Sequence, residues 1–413
     1  MLLLSNGIIH TRADQGVIEN GHILIDGERI SAVGAGPAPT GFVPGPEDRV
    51  ADLNGRTVTP GLIDAHCHIG LFNDGYDPGA EDGNEITDPV TPQLRAIDGV
   101  YHEDRCFAEA LTHGVTTVLT GPGSANVLAG TFALLHTSGR DIDQMLIEPA
   151  VAMKAALGEN PKRNYGHDNK APATRMATAA ILREALFKAR EYADACNDEE
   201  IDDPEFNFKA EAMRPLLDGS LPLKIHAHRA DDILTAIRIA NEFGLTYTIE
   251  HCTEGYHVVE QLKEAYTAGL RPGSGLGQPG RGRLLGVIAG PLLIGRGKPE
   301  LVHADLRNPL ILAAAGIPLA IMSDHPENPV NHLPVYAALA VREGMPAATA
   351  LGSITDQAAV LCGVGDRLGR LAPGYLADIS VFSGDPLDTR SRAELVLIAG
   401  KTAWQRDTGL LQL

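Results

Sequence analysis

The sequence predicts an α/β fold, with alternating strands and helices in the middle of the chain and β-rich segments at both ends. Three observations carry this. Apolar runs of strand length recur between 58 and 322, separated by amphipathic helical patterns. The two ends show short strands broken by turn pairs instead. The composition suits an aliphatic core with tight connections, since 413 residues include 45 glycines and 27 prolines and only 5% are aromatic.

The elements follow in order. Residues 1–58 read as hairpins: Ile23-Leu24-Ile25 runs into Asp26-Gly27, and Arg29-Ile30-Ser31-Ala32-Val33 into Gly34. The stretch 36–46 is loop. In the middle, strands are predicted at 58–65, 115–119, 145–153, 223–227, 246–249 and 317–322. Helices are predicted at 176–196, with Ile181, Ala185 and Tyr192 on one side, and at 231–243, with Ile233, Ile237 and Ala240. The C-terminal end returns to short strands at 378–382 and 395–398, so one small β domain is expected from both termini. Periodicity alone leaves a closed parallel barrel and an open doubly wound sheet equally available. The segments 155–170 and 271–300 read as irregular insertions. The second contains a formal GxGxxG, Gly275 to Gly280, but with Pro279 inside it and no strand read before it, a dinucleotide site is rejected.

Charge narrows the partners. With 34 basic and 53 acidic residues the formal balance is −19, a field that repels nucleic acid and anionic membrane surfaces and attracts cations. Five scattered cysteines with no CxxC pair argue against a disulfide scaffold or a zinc ribbon. The run 310–322 is broken by Gly316 and Pro318 and falls short of a bilayer span. The first residues lack the pattern of a signal peptide. A cytoplasmic protein acting on a small molecule is expected, with self-association left open.

The chemistry gathers where strands end. His66 and His68 close one apolar run. Alternation puts both imidazoles on one side and Cys67 on the other, a half-site for a divalent metal. His226 and His228 repeat the spacing, Tyr247-Thr248-Ile249-Glu250 ends in His251, and 317–323 is followed by Asp324. In a closed barrel such endings meet at one rim. Lys154 follows the same rule. As a free cation it fits a metal site poorly, whereas as an Nζ-carbamate it would be a bridging anionic ligand.

Thr59-Pro60-Gly61-Leu62-Ile63-Asp64-Ala65-His66-Cys67-His68 resembles the opening motif of the metal-dependent amidohydrolase superfamily. Gly114-Val115-Thr116-Thr117-Val118 resembles its second strand. Gly369-Arg370-Leu371-Ala372-Pro373-Gly374-Tyr375-Leu376-Ala377-Asp378-Ile379 resembles the return into its sandwich. The nearest relatives in pattern are imidazolonepropionase-related and Xaa-Pro dipeptidase-like members. The resemblance implies a (β/α)8 TIM-like barrel over 59–358, with a β-sandwich from 1–58 and 359–413. It implies one or two divalent ions, zinc by preference. His66 and His68 would hold the more buried ion, His226 and His251 the second, and a carboxylated Lys154 would bridge them. Asp324 would be ligand and general base. His228 is assigned to substrate and oxyanion contact.

Arg229 stands where imidazolonepropionases and related deaminases usually carry an acid, which argues against their chemistry and suggests contact with a substrate carboxylate. The implied reaction is hydrolysis of an amide, cyclic amide or dipeptide-like C–N bond by metal-activated water. The alternatives are lactone, ester or phosphoester hydrolysis on the same scaffold, and a non-catalytic relative. Loops 155–175 and 271–307 are expected to shape the pocket, with Arg163, Arg175, Arg281 and Arg296 as carboxylate partners.

Overall fold

The computed structural model describes residues 1–72, 81–198, 200, 204–407 and 410–411. The chain opens with β1 (Leu2–His10), β2 (Val17–Asp26), β3 (Arg29–Ala35), β4 (Arg49–Asp52) and β5 (Thr57–Pro60). Eight strands follow: β6 (Leu62–Cys67), β7 (Val115–Thr120), β8 (Leu128–His136), β9 (Leu146–Ala156), β10 (Leu223–Ala227), β11 (Thr246–His251), β12 (Arg283–Ala289) and β13 (Leu319–Ile321). The last three are β14 (Ile379–Phe382), β15 (Ala393–Ile398) and β16 (Lys401–Gln405).

Both termini do form one sheet, in the order β16-β15-β14-β5-β1-β2-β3 with β4 beside β1. Alternate residues Leu2, Leu4, Ile23, Ile25, Leu395 and Leu397 bury one side of it in a separate apolar core. β5 belongs to this sheet, and the chain passes through Gly61 directly into the barrel.

The second sheet runs β6 to β13 in sequence order and curls into a nearly closed barrel. Where a ladder no longer joins β13 to β6, Asp324 N donates to His66 O at 3.1 Å and His68 N to His325 O at 2.8 Å. One strand departs from the all-parallel expectation. β8 is antiparallel to both β7 and β9. Only residues 121–127 separate β7 from β8, and a parallel return needs a crossover of a dozen residues or more. The other neighbours, β6 with β7 and β9 through β13, are parallel.

Helices pack outside. Arg175–Asn197 buries Leu182, Ala185, Leu186 and Ala189 on one face, with Tyr192 only half-buried. Ala230–Phe243 buries Ile233, Ala236, Ile239, Ala240 and Phe243, and ends at Gly244 in the left-handed conformation. Two segments read as irregular contain regular structure: the helix Glu159–His167, and β12 within 271–300. No helix among the described residues is long and apolar enough to cross a membrane.

Candidate metal centre

The C-terminal ends of β6, β9, β10, β11 and β13 meet at one rim and bring together His66, His68, Lys154, His226, His228, His251 and Asp324, all buried. Two groups have donor atoms close enough to hold a metal ion: His66, His251 and Asp324, and His226, His228 and His251. Ring centroids lie 4.3 Å apart for His226 and His251, 4.4 Å for His228 and His251, and 5.6 Å for His66 and His251.

Two of these residues leave ordinary backbone geometry to get there. His251 has φ 65° and Asp324 φ 58°, in the left-handed region that costs a side-chain-bearing residue about 1–3 kcal/mol. At His251 the change breaks strand alternation, so Glu250 and His251 both reach the barrel interior although adjacent.

Hydrogen-bond partners fix the imidazole tautomers. His68 Nδ1 lies 2.7 Å from Gly121 O and His251 Nδ1 3.0 Å from Gly290 O. A carbonyl only accepts, so both Nδ1 atoms carry the proton and the neutral rings keep their lone pair on Nε2. His66 Nδ1 donates to Glu250 Oε2 at 2.7 Å, with the same result. His226 Nδ1 sits 2.9 Å from Ser124 Oγ. The far nitrogens of His226 and His251 are buried without a hydrogen-bond partner among the described residues. His68 Nε2 and His66 Nε2 face Asp324 Oδ1 at 3.3 and 3.6 Å, so lone pairs confront a carboxylate oxygen. That arrangement is repulsive unless a cation lies between, and the donor set of imidazole nitrogens and a carboxylate suits a divalent transition metal.

Burial holds His66, His226 and His251 well below the usual imidazole range. Burial, then the nearby Lys298 and Lys154 ammoniums, bring His228 down to about 3. His228 Nδ1 is 2.7 Å from Thr253 Oγ1, and its Nε2 lies 3.9 Å from Glu300 Oε1. Lys154 has no solvent exposure, and its Nζ is 3.3 Å from His66 Nε2. Burial pushes its pKa down to about 8. Beneath them Asp64 accepts from Ser323 N at 3.2 Å, Ser323 Oγ and His66 N, tying β6 to the chain after β13. Burial raises Asp64 to about 7.

A cavity of about 690 Å³ opens above the cluster, lined by His68, His226, His228, His251 and Asp324 on its floor. A family model for the amidohydrolase family matches residues 57–407, most of the chain. The chain belongs to the amidohydrolase family. A crystal structure of an amidohydrolase from Thermotoga maritima superposes with a TM-score of 0.89 at 35% identity, covering 98% of this chain and 100% of that one. The amidohydrolase tasK of Hapsidospora irregularis is 30% identical over 381 residues, or 86% of this chain, which spans only 37% of that relative's length. An imidazolonepropionase of Geobacillus kaustophilus is 27% identical over 398 residues, covering 90% of this chain and 85% of the relative. Family and relatives support hydrolysis of C–N bonds as the reaction class.

Not every expected residue joins the site of this amidohydrolase. Arg229 caps the helix Ala230–Phe243 outside the cavity and is bound to Asp231 through two contacts of 3.0 and 2.8 Å. From the N-cap position its long side chain reaches a half-exposed place where a neighbouring acid holds it. Of the four arginines expected at the pocket, only Arg163 lines the cavity. Arg175 is paired with Asp232 at 3.0 Å, Arg296 lines a neighbouring cleft with Leu292 and Leu293, and Arg281 donates to Pro272 O. The glycine-rich stretch does not shape the site either. Its Gly275 O accepts from Thr246 Oγ1, which places it at the start of β11, the opposite end of the barrel.

Residues missed in the sequence are Glu250, Ser124, Thr253 and the carbonyls of Gly121 and Gly290, which hydrogen-bond the histidines, and Lys224, which pairs with Glu250. Glu250 adjoins His251 and is the one a strand-end reading could have flagged. His136, with no partner legible in the sequence, bonds Asp378 at 2.9 Å and joins barrel to sandwich.

Proposed function

We propose that this protein is a metal-dependent hydrolase of an amide, cyclic amide or dipeptide-like C–N bond in a small molecule. The observation that carries it is the pair of forced Nε2 lone pairs, from His66 and His68, that face Asp324 Oδ1 at 3.6 and 3.3 Å. In this reading His66, His68 and Asp324 would hold one ion and His226 and His251 a second, with Lys154, once carboxylated, as a further anionic ligand. Divalent ions held there, zinc by preference, would lower the pKa of water and polarise a carbonyl.

The chain's own residues do the rest. Asp324 accepts a proton from the attacking water and returns it to the leaving nitrogen, which an amine needs in order to depart. With Thr253 Oγ1 as the donor to His228 Nδ1, 2.7 Å away, the ring would carry its proton on Nε2, where it would support the developing oxyanion. Burial keeps Lys154 partly unprotonated near neutral pH, the form that combines with carbon dioxide. The test is hydrolysis of a panel of N-acyl amino acids, cyclic amides and dipeptides by protein loaded with zinc or manganese, against the same protein stripped by chelator. Activity that appears with metal and disappears without it supports the reading; metal-loaded protein inert on every amide overturns it.

A further inference from the structure

The histidines account for the floor of the cavity but not for one wall. The helix Glu159–His167 lines it with Asn160, Arg163, Asn164 and His167. These positions are spaced i, i+3, i+4 and i+7, one face of a helix. The opposite face is buried through Pro161 and Tyr165, so the helix is seated and its polar side is left to the cavity. Lys298 meets that side, its Nζ donating to Asn160 Oδ1 at 3.3 Å. Two residues later the buried Glu300 accepts from Glu159 N at 3.0 Å. The short turn Pro299–Leu301 is thus fastened to the first turn of the helix by Glu300 within it and Lys298 just before it. Gly158, at φ 81°, makes room for this; a Cβ there would lie 2.9 Å from Glu300 Oε2.

Two cations therefore lie on one wall, and neither has a carboxylate partner within ion-pair distance among the described residues. Among the described residues Lys298 bonds the neutral Asn160 side chain and Arg163 has no hydrogen-bond or ion-pair partner. In a chain of net charge −19, where most other arginines near the rim are matched to acids, this pair stands out. The acids that also line the cavity are Glu81, Asp324, Glu327 and Asp168, the last at the C-terminal end of the same helix and 3.5 Å from His167. Lys298 is near enough to His226 and His228 for its charge to contribute, after burial, to keeping those rings neutral.

We propose that Lys298 and Arg163 are specificity-determining residues that bind a carboxylate of the substrate, so that the chain acts on small amides bearing a carboxylate close to the scissile C–N bond. The proposal rests on the histidine cluster being the hydrolytic centre. An ammonium with donors to spare and a planar guanidinium fork are the groups that recognise a carboxylate, and each such charged hydrogen bond discriminates by about tenfold to a hundredfold.

The experiment compares N-acyl amino acids with their C-terminal amides, which lack the charge, on metal-loaded wild type, Lys298→Gln and Lys298→Arg. Wild type is expected to favour the acids by about tenfold or more in kcat/KM. Lys298→Gln should collapse that preference through KM, and Lys298→Arg should restore most of it. Equal rates on acids and amides in wild type, or an undiminished preference in Lys298→Gln, would overturn the proposal. Calorimetric titration of wild type and Lys298→Gln with N-acetylglycine and N-acetylglycinamide reads the same wall without turnover. If no member of the panel is hydrolysed, the hydrolase reading fails while binding still decides this one. Tighter binding of the acid that is lost in Lys298→Gln supports it; equal binding of both probes, or of neither, removes it.

Discussion

Glu250 and His66, from non-adjacent strands of the barrel, are joined by a 2.7 Å hydrogen bond with no solvent exposure on either side chain. Glu250 also pairs with the buried Lys224 at 2.9 Å, and Lys224 Nζ reaches Ala65 O at 3.2 Å. One carboxylate therefore fixes the ring of a ligand-type histidine and compensates a buried ammonium. Glu250→Gln is expected to weaken metal binding about tenfold to a hundredfold, measured by chelator competition. It should also lower stability by about 3–5 kcal/mol in urea melts, because Lys224 loses its counter-charge. Unchanged metal affinity would show that Glu250 does not orient His66.

Asp324→Asn keeps the size of the side chain and removes the base. Amide hydrolysis is expected to fall by about 10²–10⁴-fold in kcat. Activated esters, whose leaving groups depart without a proton, should fall less. Rate assays on matched amide and ester substrates check this, and equal losses on both would argue against proton return to nitrogen.

Lys154, brought down to about 8 by burial, gains neutral amine as pH rises toward that value. Metal reconstitution in bicarbonate buffer should therefore be faster at about pH 8.5 than at about pH 6.5. Lys154→Met should hold fewer metal equivalents than wild type and show no carbamate carbon signal with isotopically labelled bicarbonate. A full metal complement in the variant would leave Lys154 without a role as a metal ligand.

Acid should unfold the metal-free protein through its histidines. Their folded pKa values lie below the unfolded value near 6.5, with His228 at about 3. Below about pH 6.5 the unfolded chain takes up protons that the folded chain does not, so stability present above that pH is lost as pH falls. His228→Gln removes one such proton and should flatten the dependence by about 1.4 kcal/mol per pH unit well below pH 6.5. Urea melts of both proteins across this range decide it, and identical slopes would contradict the assignment.

The ligand-type residues were legible because strand alternation and strand endings are written in local sequence: His66 with His68 and His226 with His228 share spacing and outcome. Glu250 was passed over because strand alternation admits only one of two adjacent residues to the interior; it shares a face with Thr248, and the left-handed backbone at His251 brings the histidine inward beside it. The same limit hid the barrel's irregularities. β8 is absent from the predicted strands, and the short connection before it dictates its reversal. β12 lies among glycines and prolines, and Gly286 within it serves a tertiary need: a Cβ there would stand 2.5 Å from Pro318 O of the chain entering β13. Arg229 shows the converse, since a residue type suited to a substrate carboxylate is turned outward and matched by Asp231 two residues on.

Elemental mass spectrometry of protein purified without chelator tests the metal centre most directly. Two equivalents of zinc or another divalent metal per chain are expected, falling on substitution of His66 or His251. No bound metal, even after zinc and manganese are offered, would contradict the assignment of these histidines as ligands and the hydrolytic function built on it.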